Sequence, residues 1–311
     1  MDLVADIGGT NTRIAQAGAD GLLSGTLRSY RNDAFSSFDA ALETYCTEAD
    51  VQGIQRCCVA IAGPVSAEEA RLTNRNWVMN RARISAALHG ADVVLINDLA
   101  ALGYGVPSLT DETVEVLKPE GPRRLNGQSL VLGLGTGVNL CLCHTSRSGA
   151  RTVLEAEAGH SALPQTVATA LQAAIGAAAG GFPTVEETLA GRGVAGLHRA
   201  MTGESFASSD IVAAGQTGAD PVARNTVHLA ADVLGQLVRE LLLLYLPLDG
   251  VYLAGGVARG LLGGSGRAAF LDALSRAPHF SADTGNIPIA LIRADEAGLH
   301  GCAAYLSGSA A

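Results

Sequence analysis

Four short segments carry residue types that bind anions or move protons. The first is Asp6-Ile-Gly8-Gly9-Thr10-Asn11-Thr-Arg13. Two glycines in a turn let backbone N–H groups approach a phosphate, Thr10 and Asn11 add neutral donors, and Asp6 can hold a Mg2+-bound water. An ordinary Gly-Gly hairpin with a turn Asn uses the same residues. The second is Asn97-Asp98, directly after the apolar run Asp92 to Ile96. A carboxylate there sits at the carboxyl end of a strand, where open α/β sheets place ligands, although Asp98 would equally serve as a helix N-cap. The third is Gly133-Leu-Gly135-Thr136-Gly137. The fourth, Glu157-Ala-Gly-His160, has E-x-x-H spacing, but no other ligand group lies nearby, so a structural role or a hydrogen-bonding ligand site fits better than a metal.

Several nucleotide motifs are excluded. The only lysine is Lys118, followed by Pro119, so there is no Walker A loop and no protein-kinase strand lysine. In a dinucleotide fingerprint the third glycine would fall at Val138, and a helix should follow where an alternating strand does.

The elements that must position these residues alternate between strand and helix, which implies an α/β class. Residues 2–7 and 13–17 read as a β-hairpin around Gly8-Gly9. Ser36 is placed to cap a helix that turns Phe38, Ala41, Leu42 and Tyr45 to one side. Strands follow at 57–62 and 92–96, with a helix at 81–88 between them. A polar, turn-rich stretch at 119–127 reads as a domain boundary. The pattern then restarts: strand 129–132, the Gly133–Gly137 turn, strand 138–143. This repeats the opening of the chain and suggests two related halves. Helices are expected at 167–179, from Val185 and at 221–246, then a strand at 250–254, Gly255-Gly256, a flexible loop Gly263–Gly266, a strand at 289–292 and a helix at 299–306.

The 311 residues suffice for two domains with real cores. Hydrophobic residues are 48% and charged ones 16%, which argues against disorder. The net charge is −9 without a basic stripe, so nucleic acid and anionic membrane surfaces are poor partners. The longest apolar run, Leu237 to Leu248, contains Arg239 and Glu240, so no membrane span is expected, and with no secretory signal visible the expectation is a cytosolic protein. The six cysteines lack C-x-x-C spacing and read as buried thiols; strand alternation sends Cys141 and Cys143 to one face and His144 to the other.

Taken in order, Asp6-x-Gly-Gly-Thr-Asn, Thr73-Asn74-x-x-Trp77, Ile96-Asn97-Asp98, Gly135-Thr136-Gly137, Glu157-x-Gly-His160, Glu186 ahead of Gly191, and Ala254-Gly255-Gly256 resemble the bacterial glucokinase family over nearly the whole chain. The resemblance implies the two-domain actin-like (ribonuclease H-like) sugar-kinase fold with an interdomain cleft. Residues 1–110 would form a small domain joined by the C-terminal helix 297–311, and 111–296 a large one. It further implies phosphoryl transfer from Mg-ATP to the 6-hydroxyl of glucose in a homodimer. Asp98 then matches the general base, and Asn74, Asn97, Asp98, Glu157, His160 and Glu186 the sugar ligands. Asp6, Gly8, Gly9, Thr10 and Asn11 match the first phosphate loop, with Asp6 holding Mg2+ through water; Gly135, Thr136 and Gly137 match the second, and Gly255 and Gly256 the adenosine region. Thr184-x-x-Glu187 forms a capping box, which leaves Glu186 rather than Glu187 for the sugar. Trp77 reads as core or site wall.

The chain departs from the family at Glu155-Ala156, where Pro-Gly is usual, and at Ala158 and Asn139, each of which replaces a Gly. Those positions bear on sugar choice and ATP affinity. Mannose, fructose or an N-acetylhexosamine are alternative acceptors, ADP or polyphosphate alternative donors, and a catalytically idle sugar or nucleotide sensor the alternative of another class. The zinc motif and DNA-binding helices of the related repressor/kinase family have no counterpart here.

Overall fold

The apolar runs of the first hundred residues build one sheet. β1 (Asp2–Ile7) and β2 (Asn11–Gly18) form the expected antiparallel hairpin, with Asp6 opposite Arg13. β3 (Gly21–Leu22) and β4 (Arg28–Arg31) pair with β2. On the other side β5 (Arg56–Ile61) runs parallel to β1, and, after the small hairpin β6 (Glu69–Arg71) and β7 (Val78–Asn80), β8 (Asp92–Asn97) runs parallel to β5. The order is β3-β2-β1-β5-β8. Strands buried on both faces read as near-continuous apolar runs, and β5, Arg-Cys-Cys-Val-Ala-Ile, has its last five residues buried.

Alternation sorts the two faces. Leu3, Ala5 and Ile7 pack with Phe38, Leu42 and Tyr45 of α1 (Phe38–Glu48) and Ile84 of α2 (Arg81–Ala87). Val4, Cys58 and Ala60 pack on the opposite face with Ala101 of α3 (Asp98–Gly105) and with Leu299 and Cys302 of the C-terminal helix Ala297–Gly308. Asp6 has the parity of Val4 and so points toward α3 and the C-terminal helix. That helix lies at backbone contact on α3: a Cβ on Gly301 would stand 1.7 Å from the Ala101 carbonyl oxygen. The cap of α1 is Ser37, which accepts from the Ala40 N–H at 3.2 Å, one residue beyond the expected Ser36.

The computed structural model describes residues 1–217, 220–276 and 282–308. The chain divides into a first unit of Met1–Thr110, Ser148–Val153 and Ala294–Ala311, and a second of Asp111–Arg147 and Leu154–Arg293. Residues 148–153 therefore group with the first unit, whereas the expected boundaries put them in the second. Positions 309–311 of the expected final helix lie outside the described residues. The polar stretch 119–127 falls within the second unit, where Arg123 Nε donates to the Leu248 carbonyl and the Asn126 and Gly127 N–H groups donate to Asp249.

The second unit repeats the plan. β9 (Val114–Lys118), β10 (Gln128–Leu134), β11 (Val138–Thr145), β12 (Arg151–Glu155, of which residues 151–153 group with the first unit), β13 (Gly250–Ala254) and β14 (Ile289–Ile292) form a sheet of order β12-β11-β10-β13-β14-β9, with β10, β13 and β14 parallel. The expected helix 167–179 stops as α4 (Gln165–Ile175), because Gly176 takes φ +57° and a 3-10 turn follows. α5 (Val185–Leu189), α6 (Gly191–Thr202) and α7 (Ser208–Thr217) lead to α8 (Pro221–Tyr245), which Asp220 caps and which ends at Leu246 with φ +44°. The glycines at 263–266 are a packed corner between α9 (Gly256–Leu262) and α10 (Gly266–Ser275), not a loose loop: a Cβ on Gly266 would meet Ala231 of α8 at 2.9 Å. Among the described residues no helix is long and apolar enough to cross a membrane.

Candidate active site

In the first unit the parallel strands β1, β5 and β8 deliver their carboxyl ends to one edge, and two carboxylates meet there. β8 ends at Asn97, paired with Ile61 of β5, which keeps Asn97 extended. Asn97 rather than Asp98 is consequently the N-cap of α3; its Oδ1 accepts from the N–H groups of Leu99 at 2.9 Å and Ala100 at 3.4 Å, and its Nδ2 donates to the Gly63 carbonyl at 3.4 Å. Asp98 becomes the first residue of the helix, with one carboxylate oxygen accepting from the Leu99 N–H at 2.9 Å. Burial first, and then the charge of Asp6, raise the Asp98 pKa to about 7 against the opposing pull of backbone N–H groups. Burial likewise lifts Asp6 to about 6, against the pull of Arg13. Arg13 itself pairs with Asp295 at 3.2 Å. The C-terminal helix can approach Asp6 only through a glycine, since a Cβ on Gly298 would lie 2.9 Å from the Asp6 carboxylate.

The first glycine turn is tied down beside this pair. The Gly8 N–H donates to the Asn11 carbonyl at 3.0 Å. Asn32, fully buried, donates from Nδ2 to the Gly8 carbonyl at 2.8 Å and from its backbone N–H to the Thr10 carbonyl at 2.9 Å, and accepts from the Thr12 hydroxyl at 2.8 Å. Asn74 closes the other side, its Nδ2 standing 3.3 Å from where a Gly9 Cβ would be. Arg75 donates to the Gly9 carbonyl, pairs with Asp33 and lies over the Trp77 ring at 5.9 Å. Trp77 is buried in the core beneath.

In the second unit the turn Gly135–Gly137 follows β10 as Gly8–Thr10 follows β1. The Gly135 N–H donates to Gly137 O at 2.9 Å, and the Gly135 carbonyl accepts from the Gly191 N–H at 2.9 Å. Glu186 accepts from the Val138 N–H at 2.9 Å and pairs with Arg192, whose other nitrogen donates to the Thr136 carbonyl at 3.2 Å. Burial opposes ionisation of Glu186, but the Val138 N–H, Arg192 and His160 outweigh it and hold its carboxyl below the ordinary value. Thr184 does cap α5, although its hydroxyl donates to the Glu187 carboxylate where a capping box would use the Thr184 N–H. Glu157 and His160 are exposed on a short turn clamped to β11, where a Gly159 Cβ would lie 1.9 Å from the Val138 carbonyl. Gly255, φ +96°, would drive a Cβ to 2.2 Å from the Leu134 carbonyl, and Gly256 starts α9.

Each unit thus gathers its own share of the expected residues: Asp6, Gly8, Gly9, Thr10, Asn11, Asn74, Asn97 and Asp98 in the first, and Gly135, Thr136, Gly137, Glu157, His160, Glu186, Gly255 and Gly256 in the second. The side chain of Asn97 is largely spent on the helix cap. Glu186 uses both oxygens within the protein yet keeps lone pairs for a further donor. Asn32, Arg75, Arg192 and Gly298 were not foreseen. None follows a periodic pattern, and each earns its place through a partner distant in the chain.

A family model described as glucokinase matches residues 3–309. A glucokinase of Xanthomonas campestris pv. campestris (strain 8004) is 31% identical over 318 aligned residues, covering 97% of this chain and 94% of the relative. The crystal structure of a glucokinase from an Antarctic psychrotroph is 27% identical, with a TM-score of 0.82 and 98% of both chains covered. A ROK family glucokinase from Streptomyces griseus, crystallised with glucose and AMPPNP, is 18% identical, with a TM-score of 0.61 and 97% of both chains covered. The fold is the two-domain actin-like sugar-kinase fold.

Proposed function

The chain belongs to the glucokinase family, and on that footing we propose that it is a cytoplasmic enzyme transferring the γ-phosphoryl group of ATP to the 6-hydroxyl of glucose, with Asp98 as general base. The observation that carries the assignment of the base is the pair of partly buried carboxylates at the strand edge, with Asp98 raised to about 7. A carboxylate of ordinary acidity is a poor base for an alcohol; one poised near neutral pH is ionised often enough to act and basic enough to take the proton. Asp98 accepts the 6-hydroxyl proton as the new P–O bond forms and the bond to the leaving nucleoside diphosphate breaks. Aligning the hydroxyl with the phosphorus is the larger part of the protein's task.

The two carboxylates also fit a divalent cation: Asp6 and Asp98 are hard oxygen donors that burial, ahead of neighbouring carboxylate charge, makes costly to ionise without a cation. Asp6 would hold Mg2+ through water, and the ion would offset phosphate charge. The turns Gly8–Thr10 and Gly135–Gly137 offer backbone donors to phosphate oxygens, which matters in a chain whose only lysine, Lys118, is engaged with the Gly285 and Ile287 carbonyls. Glycines 255 and 256 border the nucleoside. Asn74, Asn97, Glu157, His160 and Glu186 supply the bidentate acceptors and donors that a ring of hydroxyls requires. The glucose and AMPPNP bound to the Streptomyces griseus protein, which shares the fold, support both substrates.

The experiment is ADP release by the purified chain with Mg-ATP across glucose, mannose, fructose and N-acetylhexosamines, with ADP and polyphosphate as alternative donors. Turnover greatest with ATP and glucose is expected; a chain that releases no ADP with any hexose would be a sensor.

A further inference from the structure

Asn139 and Ala158, nineteen residues apart in the chain, touch each other. Asn139 Oδ1 accepts from the Ala158 N–H at 3.0 Å and from the Leu140 N–H at 2.9 Å, and its Nδ2 donates to the Glu157 carboxylate at 3.3 Å. The amide orientation is fixed by chemistry: two backbone N–H groups can only donate, so oxygen must face them and nitrogen must face the carboxylate. Asn139 lies two residues beyond Gly137, on β11, and the Glu157–His160 turn is already pinned to β11 through Gly159.

We infer that Asn139 is a positioning residue that orients the Glu157 carboxylate for sugar binding. The inference rests on the reading of Glu157 as a glucose ligand. Glu157 is exposed and its side chain has three rotatable bonds, so an unrestrained carboxylate would lose that freedom on meeting the sugar; the Asn139 amide removes it beforehand. A glycine at 139 could not do this. The same side chain holds the Ala158 N–H, so one residue sets both the backbone and the carboxylate of the turn.

Asn139→Asp is the decisive variant, because it retains the acceptor for Ala158 and Leu140 and replaces the donor facing Glu157 by a negative oxygen. The KM for glucose should rise about tenfold or more at pH 8, with kcat and the KM for ATP changed less than about threefold. Asn139→Ala should raise the glucose KM alone. In a Glu157→Ala background, which removes the acceptor, the Asn139→Ala effect should fall below about twofold. Unchanged glucose KM in both variants, or an Asn139 effect undiminished in Glu157→Ala, would overturn the inference. If Glu157→Gln alone leaves the glucose KM unaltered, the failure lies in the assignment of Glu157 and the inference falls with it.

Discussion

Replacing Asp98 by Asn should make the protein more stable while disabling it, and the two effects have one cause. The unfolded chain ionises this carboxyl near 3.8, whereas the folded chain does so only at about 7. Between those values the folded state keeps a proton that the unfolded state has lost. The stability associated with Asp98 is therefore fully present below pH 3.8, declines as pH rises through the window, and is lost above about 7. The spread corresponds to about 4 kcal/mol, an upper figure because solvent and neighbouring groups relax around the charge. Asparagine keeps an oxygen for the Leu99 N–H and never ionises. Urea unfolding at pH 8 should accordingly show the Asp98→Asn protein about 2–4 kcal/mol more stable than the parent, the advantage vanishing near pH 4. In the same preparations glucose-dependent ADP release should fall by about 10^3-fold while glucose affinity, followed by fluorescence titration, stays within about threefold. Loss of stability at pH 8, or turnover near that of the parent, would refute the assignment of a strained base.

The acid limb of the pH profile follows from the same group: kcat/KM for glucose should climb with pH and level off above about 7, since the base must be ionised in the free enzyme. Gly301→Ala should cost about 3 kcal/mol by urea unfolding because its Cβ would overlap the Ala101 carbonyl, whereas Gly308→Ala, facing open space in the same helix, should be neutral or slightly stabilising. Asn32→Ala leaves the Gly8 carbonyl and the Thr12 hydroxyl without their partner; the KM for ATP should rise about tenfold with little change in that for glucose.

What could be read along the chain was whatever a local pattern controls. β5 declared itself because a strand buried on both faces must be apolar throughout, and α8 because Asp220-Pro221 starts a helix and twenty-five residues then keep one side apolar. Asn97-Asp98 was ambiguous locally, since either residue can cap. The ladder settles it: pairing with Ile61 holds Asn97 extended, which gives it the cap and leaves the Asp98 carboxylate for other work. Asn32 had no local signal, for its partners Gly8 in the first turn and Thr12 on β2 lie twenty or more residues away. The reason for a glycine at 298 lies at Asp6, and Gly264 and Gly266 read as flexible only because the side chains they meet, Gln216 of α7 and Val227 and Ala231 of α8, are remote in sequence.

The two sheets share one plan, an edge strand, an antiparallel hairpin and then two parallel strands, in the orders β3-β2-β1-β5-β8 and β12-β11-β10-β13-β14. Superposing the plans residue by residue shows where chemistry was added. Each unit follows the first strand of its hairpin with a three-residue turn, Gly8–Thr10 after Ile7 of β1 and Gly135–Gly137 after Leu134 of β10. One position before the strand ends, the first unit has Asp6 opposite Ala60, and the second has Gly133 opposite Ala254. At the end of the fifth strand the first unit continues into Asp98, while the second continues into Arg293, whose guanidinium pairs with Glu115. For the proposed phosphoryl transfer, backbone donors to phosphate are useful more than once, but one base and one metal carboxylate suffice. A repeated scaffold supplies the donors twice through its backbone, and the charged pair, which costs stability wherever it is buried, is confined to one copy.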